Sequence, residues 1–331
     1  MGSVMDDHFF GERAIAFSFG KYRATLLPDL GGNVISFVDT EHGYHFLREP
    51  KQEEMEIFKA APFTHGIPVL FPPNRYANGE FTLLGRTYRL PVNEPAAGNH
   101  LHGFFYDCKW EVTETGQDES ESFVVIEQQV SKAHPAYLSF PHEFILSVRY
   151  SLSAKGLQQA VKVTNKGNSP MPCLLGFHTA LNAPFSPGST RDDMKMEITI
   201  GERWELDNRM LPTGKMLPLT ANEQRMKEGG ISPYFTVMDH HYTAAPKDGK
   251  NFVVLTDVRE QVRLIYDVGV KYRHWMIWNK DAASGFFCPE PQTNAVNAPN
   301  LPHSFEETGI VLLEPGETWE ETSRLYTEQV E

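Results

Sequence analysis

Between Phe144 and Leu152 the chain alternates with a period of two. Phe144, Leu146, Val148, Tyr150 and Leu152 fall on one side, and Ile145, Ser147, Arg149 and Ser151 on the other. Successive side chains of a strand point to opposite faces, so this stretch predicts a sheet with one apolar and one mostly polar face. Gly156 marks a turn, and Leu157 to Thr164 reads as the partner strand. A second hairpin-like spacing joins Ala14–Phe19 to Tyr22–Leu27, followed by Asn33–Val38 after the Gly31-Gly32 break. Further strand-like runs occur at 123–126, 194–200, 252–255, 262–266, 275–278, 309–313 and 318–326. Helical periodicity over ten or more residues is not found; Glu53–Lys59 and Ala221–Gly229 are short candidates. With 25 Gly and 23 Pro supplying turns, the expectation is an all-β fold. We expect a large antiparallel β-sandwich of ~18–20 strands with few short helices. No repeat, low-complexity linker or shift of composition divides residues 1–331, which read as a single domain.

Bulk properties narrow the class of partner. The chain of 331 residues is 40% hydrophobic and 22% charged, enough to bury a large core. Lys and Arg number 30 against 43 Asp and Glu, for a formal charge of −13. Nucleic acids and anionic membranes both reward clusters of Lys and Arg, so neither is expected as a partner. A neutral small molecule fits better. No segment approaches the ~18 consecutive apolar residues needed to span a bilayer, and the acidic start from Met1 to Asp7 lacks a signal-peptide core. Cys108, Cys173 and Cys288 are odd in number and far apart, which suits neither a disulfide framework nor a zinc knuckle. Reduced thiols in or near the core and a cytoplasmic location are expected.

Five stretches carry residues suited to chemistry. In Cys288-Pro289-Glu290-Pro291-Gln292, two prolines fix their own φ and push the residues before them toward extended backbone. Glu290 therefore sits on a stiff mount at a strand end, suited to a general base; the alternative is an exposed loop glutamate. In Gly66–Gly79 an apolar run meets Pro72-Pro73 and then presents Asn74 and Arg75. The five fixed donors of a guanidinium suit hydroxyl or carboxylate oxygens, unless Arg75 only braces its own loop. His100 and His102, on one strand, would share a face and could chelate a metal, but the nearest acid is Asp107 and a third ligand is missing. A structural role for one of them is the alternative. His178 follows Gly176-Phe177, where the glycine allows close approach, and is either functional or a core histidine. Asp239-His240-His241-Tyr242 is an acid followed by two histidines, or simply a polar loop. Phe105, Phe287, Trp275 and Trp278 could offer a flat face to a sugar.

The order of Gly66–Arg75, Leu101-His102-Gly103-Phe104, Gly176-Phe177-His178, Asp239–Tyr242 and Glu290–Ala298 resembles the aldose 1-epimerase family, the galactose mutarotases. The resemblance runs from about Phe17 to Tyr326. It implies a twisted β-supersandwich and cofactor-free, metal-free interconversion of α and β anomers of a free aldose by a monomer or homodimer. It makes Glu290 the catalytic base and His178 the general acid, with Arg75, His102, Asp239 and the adjacent Asn74 binding the sugar. Mutual attraction is expected to hold Glu290 as carboxylate and His178 as imidazolium. Two stretches depart from the family pattern. Thr179-Ala180-Leu181 replaces the Pro-Tyr-Phe that follows the acid histidine in well-known members, and the surroundings of Asp239 match only loosely. The rival readings are a hexose-6-phosphate mutarotase, for which Lys271, Arg273 or Lys280 would have to meet the phosphate, and a sugar-binding protein without catalysis.

Overall fold

The alternating stretch becomes a long ladder. In the computed structural model, which describes residues 2–330, strands Phe144–Ser153 and Gly156–Asn165 pair in unbroken register from Phe144↔Asn165 to Ser153↔Gly156. They lie inside an eight-stranded sheet. Its order is Glu111–Gln117, Glu121–Val130, Phe144–Ser153, Gly156–Asn165, Thr318–Gln329, Val262–Asp267, Phe252–Asp257 and Met194–Ile198. The N-terminal run forms a five-stranded meander from Gly2–Phe9 to Tyr44–His45, containing the expected hairpin as Glu12–Phe19 and Tyr22–Leu27. Buried side chains of these sheets and of the site sheet meet in one core, with Phe17 and Phe37, Val148 and Tyr150, and Phe177 and Trp275 as examples. The protein is thus an all-β antiparallel sandwich, as the alternation predicts.

The site sheet is less regular. Its order is Pro212–Leu217, Ile200–Leu206, Asp239–Ala244, His274–Trp278, Phe286–Gln292, Gly176–Phe177 and Val69–Leu70, with Leu181–Asn182 also paired to Phe286–Gln292. Three of these pieces are two residues long, too short for any period to register. Such fragments raise the count to 27 strands among the described residues. The run at 194–200 is not one strand: Met194–Ile198 ends in the first sheet and Ile200–Leu206 begins in the second. Thr199 stands at the crossing and donates its hydroxyl to Asn251 Oδ1 at 2.6 Å. Of the two expected helices, one is Ala221–Lys227, opened by a capping box between Thr220 and Glu223, and the other is Met55–Ala60. All three cysteines are free, two of them buried and Cys108 partly so.

Candidate active site

Proline chemistry explains how Glu290 is displayed. Alternate residues of a strand direct their N–H groups to opposite sides. Thr293 N donates to Leu175 O at 2.8 Å, so the odd-numbered residues here face the strand Gly176–Phe177. Pro289 and Pro291 share that parity and have no N–H to offer. On this side pairing is seen at Gly176↔Gln292 and at Leu181↔Phe287, and it lapses between. The other side keeps full register with His274–Trp278, including Met276↔Glu290. Both flanking pairs belong to one antiparallel register, and carrying it through the gap sets His178 opposite Glu290. Opposed residues of an antiparallel pair share a face with Cβ atoms ~4.5–5.5 Å apart. The side chains do meet: His178 Nε2 lies 3.1 Å from Glu290 Oε1. The chain at His178 remains anchored from behind, its N–H donating to Pro68 O at 3.1 Å. Gly176 is required there, since a Cβ would stand 2.9 Å from Pro73 Cβ.

The remaining side chains arrive from neighbouring turns. Asn74 and His102 both have positive φ, 57° and 67°, and His102 N donates to Asn74 O at 2.9 Å. Gly103 follows at φ 77°, where a Cβ would meet Phe71 O at 2.1 Å. The left-handed pair at 102–103 turns the chain off the strand Asn99–Leu101 and brings the His102 ring to 5.2 Å from that of His178. Arg75 pairs in register with Leu101. Its Nη1 lies 3.8 Å from Asp239 Oδ2, and its Nε donates to both oxygens of Glu94 at 3.1 and 3.2 Å. Together Phe63, Thr64, Asn74, Arg75, Leu101, His102, His178, Asp239, Trp278 and Glu290 enclose a cavity of about 150 Å³. All six residues assigned by resemblance line it, including Asp239, whose surroundings match the family least.

Several expectations are corrected. His100 and His102 do not share a strand face, because the strand ends at Leu101. Both nitrogens of His100 are used inside the fold, Nδ1 against Pro91 O at 2.7 Å and Nε2 accepting from Gly103 N at 3.1 Å. His100 is the structural member of the pair. Among the described residues no three His, Cys, Asp or Glu side chains gather into a metal-binding set. Of the four aromatic candidates only Trp278 reaches the cavity; Phe105, Phe287 and Trp275 are fully buried core. Phe63, with its ring 4.8 Å from that of His102, is a wall that the sequence did not point to. It sits in a short turn after Pro62, without periodicity. His241 is likewise core, bonded through Nδ1 to Trp275 O and through Nε2 to Val296 N.

Burial governs the protonation of the central pair. His178 is 4% exposed and Glu290 2%. Desolvation lowers the imidazole from 6.5 to about 3, with Arg75 and Arg48 pushing the same way. Desolvation, reinforced by the charge of Asp239, raises the Glu290 carboxyl well above its ordinary value against the pull of Arg75. Burial also raises Asp239 and lowers His102. In place of the expected ion pair, each partner favours its neutral form, because removal from water is the largest influence on both. His178 Nε2 and Glu290 Oε1, 3.1 Å apart, are within reach for a proton to pass between them. Glu290 Oε2, His178 Nδ1 and His102 Nδ1 are buried here without a hydrogen-bond partner in the protein. Buried polar atoms are nearly always satisfied, and these three belong to residues lining the cavity.

In this β-sandwich a small cavity joins a buried acid–imidazole pair to Arg, Asn, Asp and aromatic side chains. The aldose 1-epimerase family model matches residues 13–326, and the chain belongs to that family. It is 26% identical over 212 residues to the uncharacterised protein YihR of Escherichia coli K12, covering 63% of this chain and 62% of that one. A probable aldose 1-epimerase of Arthroderma benhamiae is 30% identical over 157 residues, 43% of this chain and 34% of that one. The chain thus spans less than two thirds of either curated relative. The crystal structure of a galactose mutarotase-like protein from Clostridium acetobutylicum superposes with a TM-score of 0.95 at 34% identity over 99% of both chains. Galactose 1-epimerase from Lactobacillus acidophilus shares the fold at a TM-score of 0.72 and 13% identity, over 100% of this chain and 99% of that one.

Proposed function

We propose that the protein is a cofactor-independent mutarotase of free aldoses, interconverting the α and β anomers of hexoses such as glucose or galactose. The observation that carries this reading is the 3.1 Å contact of His178 with Glu290 at the wall of a cavity of about 150 Å³. Mutarotation removes a proton from the C1 hydroxyl and delivers one to the ring oxygen. The C1–O5 bond opens to the aldehyde, C1 turns about C1–C2, and the ring closes on its other face. One base and one acid are enough.

A proton passing between the pair supplies both. Transfer from the Glu290 carboxyl to His178 leaves a carboxylate beside C1–OH and an imidazolium for the ring oxygen, with no change in net charge. A buried site favours such a transfer over creating a single uncompensated charge. Each of the two groups is worth ~10²–10⁴-fold. Arg75, Asn74, His102 and Asp239 hold the hydroxyls, and Trp278 and Phe63 flank the apolar face of the ring.

A neutral sugar is favoured over a sugar phosphate by the distribution of cations. Arg75 is the one Lys or Arg lining the cavity among the described residues, and Glu94 and Asp239 already flank it. Lys271 and Arg273 line a separate cleft with Phe305 and Trp319. Lys280 is exposed in the turn after His274–Trp278. The test is anomer exchange of glucose, galactose and glucose 6-phosphate, followed by NMR or polarimetry with and without protein. Acceleration confined to the free sugars is expected. Acceleration of the phosphate alone moves the substrate class, and acceleration of none, with binding retained, makes the protein a sugar-binding module.

A further inference from the structure

Arg75 is the cation of the cavity, yet its strongest contacts lie outside it. Its Nε donates to both carboxylate oxygens of Glu94, which does not line the cavity. Glu94 is itself fixed. Its backbone exchanges hydrogen bonds with Asn99, N–H to O at 3.0 Å and back at 3.2 Å, and Asn99 Nδ2 donates to Glu94 Oε2 at 2.9 Å. Asn99 is fully buried and tied to Arg209, whose Nη2 donates to Asn99 Oδ1 at 3.1 Å and whose Nε donates to Ala97 O at 2.7 Å. On the cavity side Arg75 Nη1 stops 3.8 Å from Asp239 Oδ2, short of a hydrogen bond.

We infer that Glu94 is a positioning residue. By holding Nε from behind, it stops the guanidinium from closing onto Asp239, so that both groups stay open to the sugar. The inference rests on reading the cavity as the mutarotation site. Without the Glu94 carboxylate, the nearest anion for Arg75 is Asp239, and the two would satisfy each other. Sugar binding would then have to break that pair, whereas proton transfer between His178 and Glu290 would not change. A loss in KM with kcat preserved is the mark of an interaction that serves binding alone.

The test is anomer exchange by Glu94→Gln, an isosteric change at a partly exposed loop position, alongside Glu94→Asp, Arg75→Met and the double variant Glu94→Gln/Arg75→Met. Glu94→Gln is expected to raise KM about tenfold with kcat within about threefold, and Glu94→Asp, which keeps the charge but shortens its reach, to fall between it and wild type. In the Arg75→Met background Glu94→Gln should add no more than about twofold, because its effect passes through Arg75. A merely structural role would instead add in full in that background and would lower thermal stability. Glu94→Gln within twofold of wild type in KM, or full additivity with Arg75→Met, overturns the inference while leaving the function standing. A wild-type protein that exchanges no anomers overturns both.

Discussion

Two sheets of this molecule treat their ladders in opposite ways. The eight-stranded sheet keeps Phe144–Ser153 and Gly156–Asn165 paired at every residue, with apolar side chains alternating into the core. The site sheet loses its pairing between Gly176 and Leu181, opposite Pro289 and Pro291, while preserving its register on either side. Unbroken pairing buries apolar side chains; interrupted pairing with kept register aims two polar side chains at each other without ladder bonds between them. Stability should therefore reside mainly in the first sheet and chemistry in the second.

The largest expected effect falls on the interrupted sheet. Glu290→Gln should lower kcat by at least ~10²-fold with the fold intact. Its stability effect has a defined sign. A carboxyl raised by burial contributes stability below its unfolded value of 4.5 and loses it as pH rises through the folded value. The Gln variant should accordingly melt above wild type at alkaline pH. A fall in both melting temperature and kcat would make Glu290 structural. In the continuous sheet, Leu146→Ala should cost about 2–5 kcal/mol of stability by leaving a cavity, while activity per folded molecule stays near wild type. Chemical denaturation beside initial rates separates the two.

Smaller effects sharpen the contrast through pH. Burial lowers His65, His178 and His241 to about 3 and His100 and His142 to about 4. A depressed value means that the unfolded chain takes up protons first. This stability is therefore complete above pH 6.5 and lost as pH falls from there toward 3–4. Thermal melts between pH 7 and 5 should show a steady decline in melting temperature. Over the same window kcat/KM should change little, because burial lowers His178 to about 3 and the central pair takes up a further proton only well below pH 5. An acid limb of kcat/KM near 6.5 would show that His178 is ordinarily solvated. The mildest change is Trp278→Ala, which removes one flat wall of the cavity. It should weaken sugar binding by about 1 kcal/mol, roughly fivefold in KM.

What could be read from the sequence follows the same division. The long strands announced themselves because ten residues of alternation exceed chance, and their partners followed from the turn glycine. The six assigned site residues were reachable through motif order, and Glu290 through its prolines. The two-residue strands on either side of His178 and the gap have no period to read. The division of 194–200 between sheets is invisible because both halves alternate alike. His100 and His102 looked equivalent in sequence; a left-handed backbone at 102–103 separates them, and only Gly103 hinted at it. Glu94 gave no local signal, since its role depends on Asn99 and Arg209, the latter more than 100 residues away. Nor does the sequence reveal how far burial outweighs attraction in the central pair, which depends on the surrounding walls.

The central claim is that His178 and Glu290 act as one proton-sharing unit. It is tested most directly by anomer exchange in the folded His178→Asn and Glu290→Gln variants and in the double variant. Each single change should reduce kcat by at least ~10²-fold, and the double variant should be no slower than the slower single one. Losses that multiply in the double variant, or either folded single variant turning over like wild type, would contradict the account.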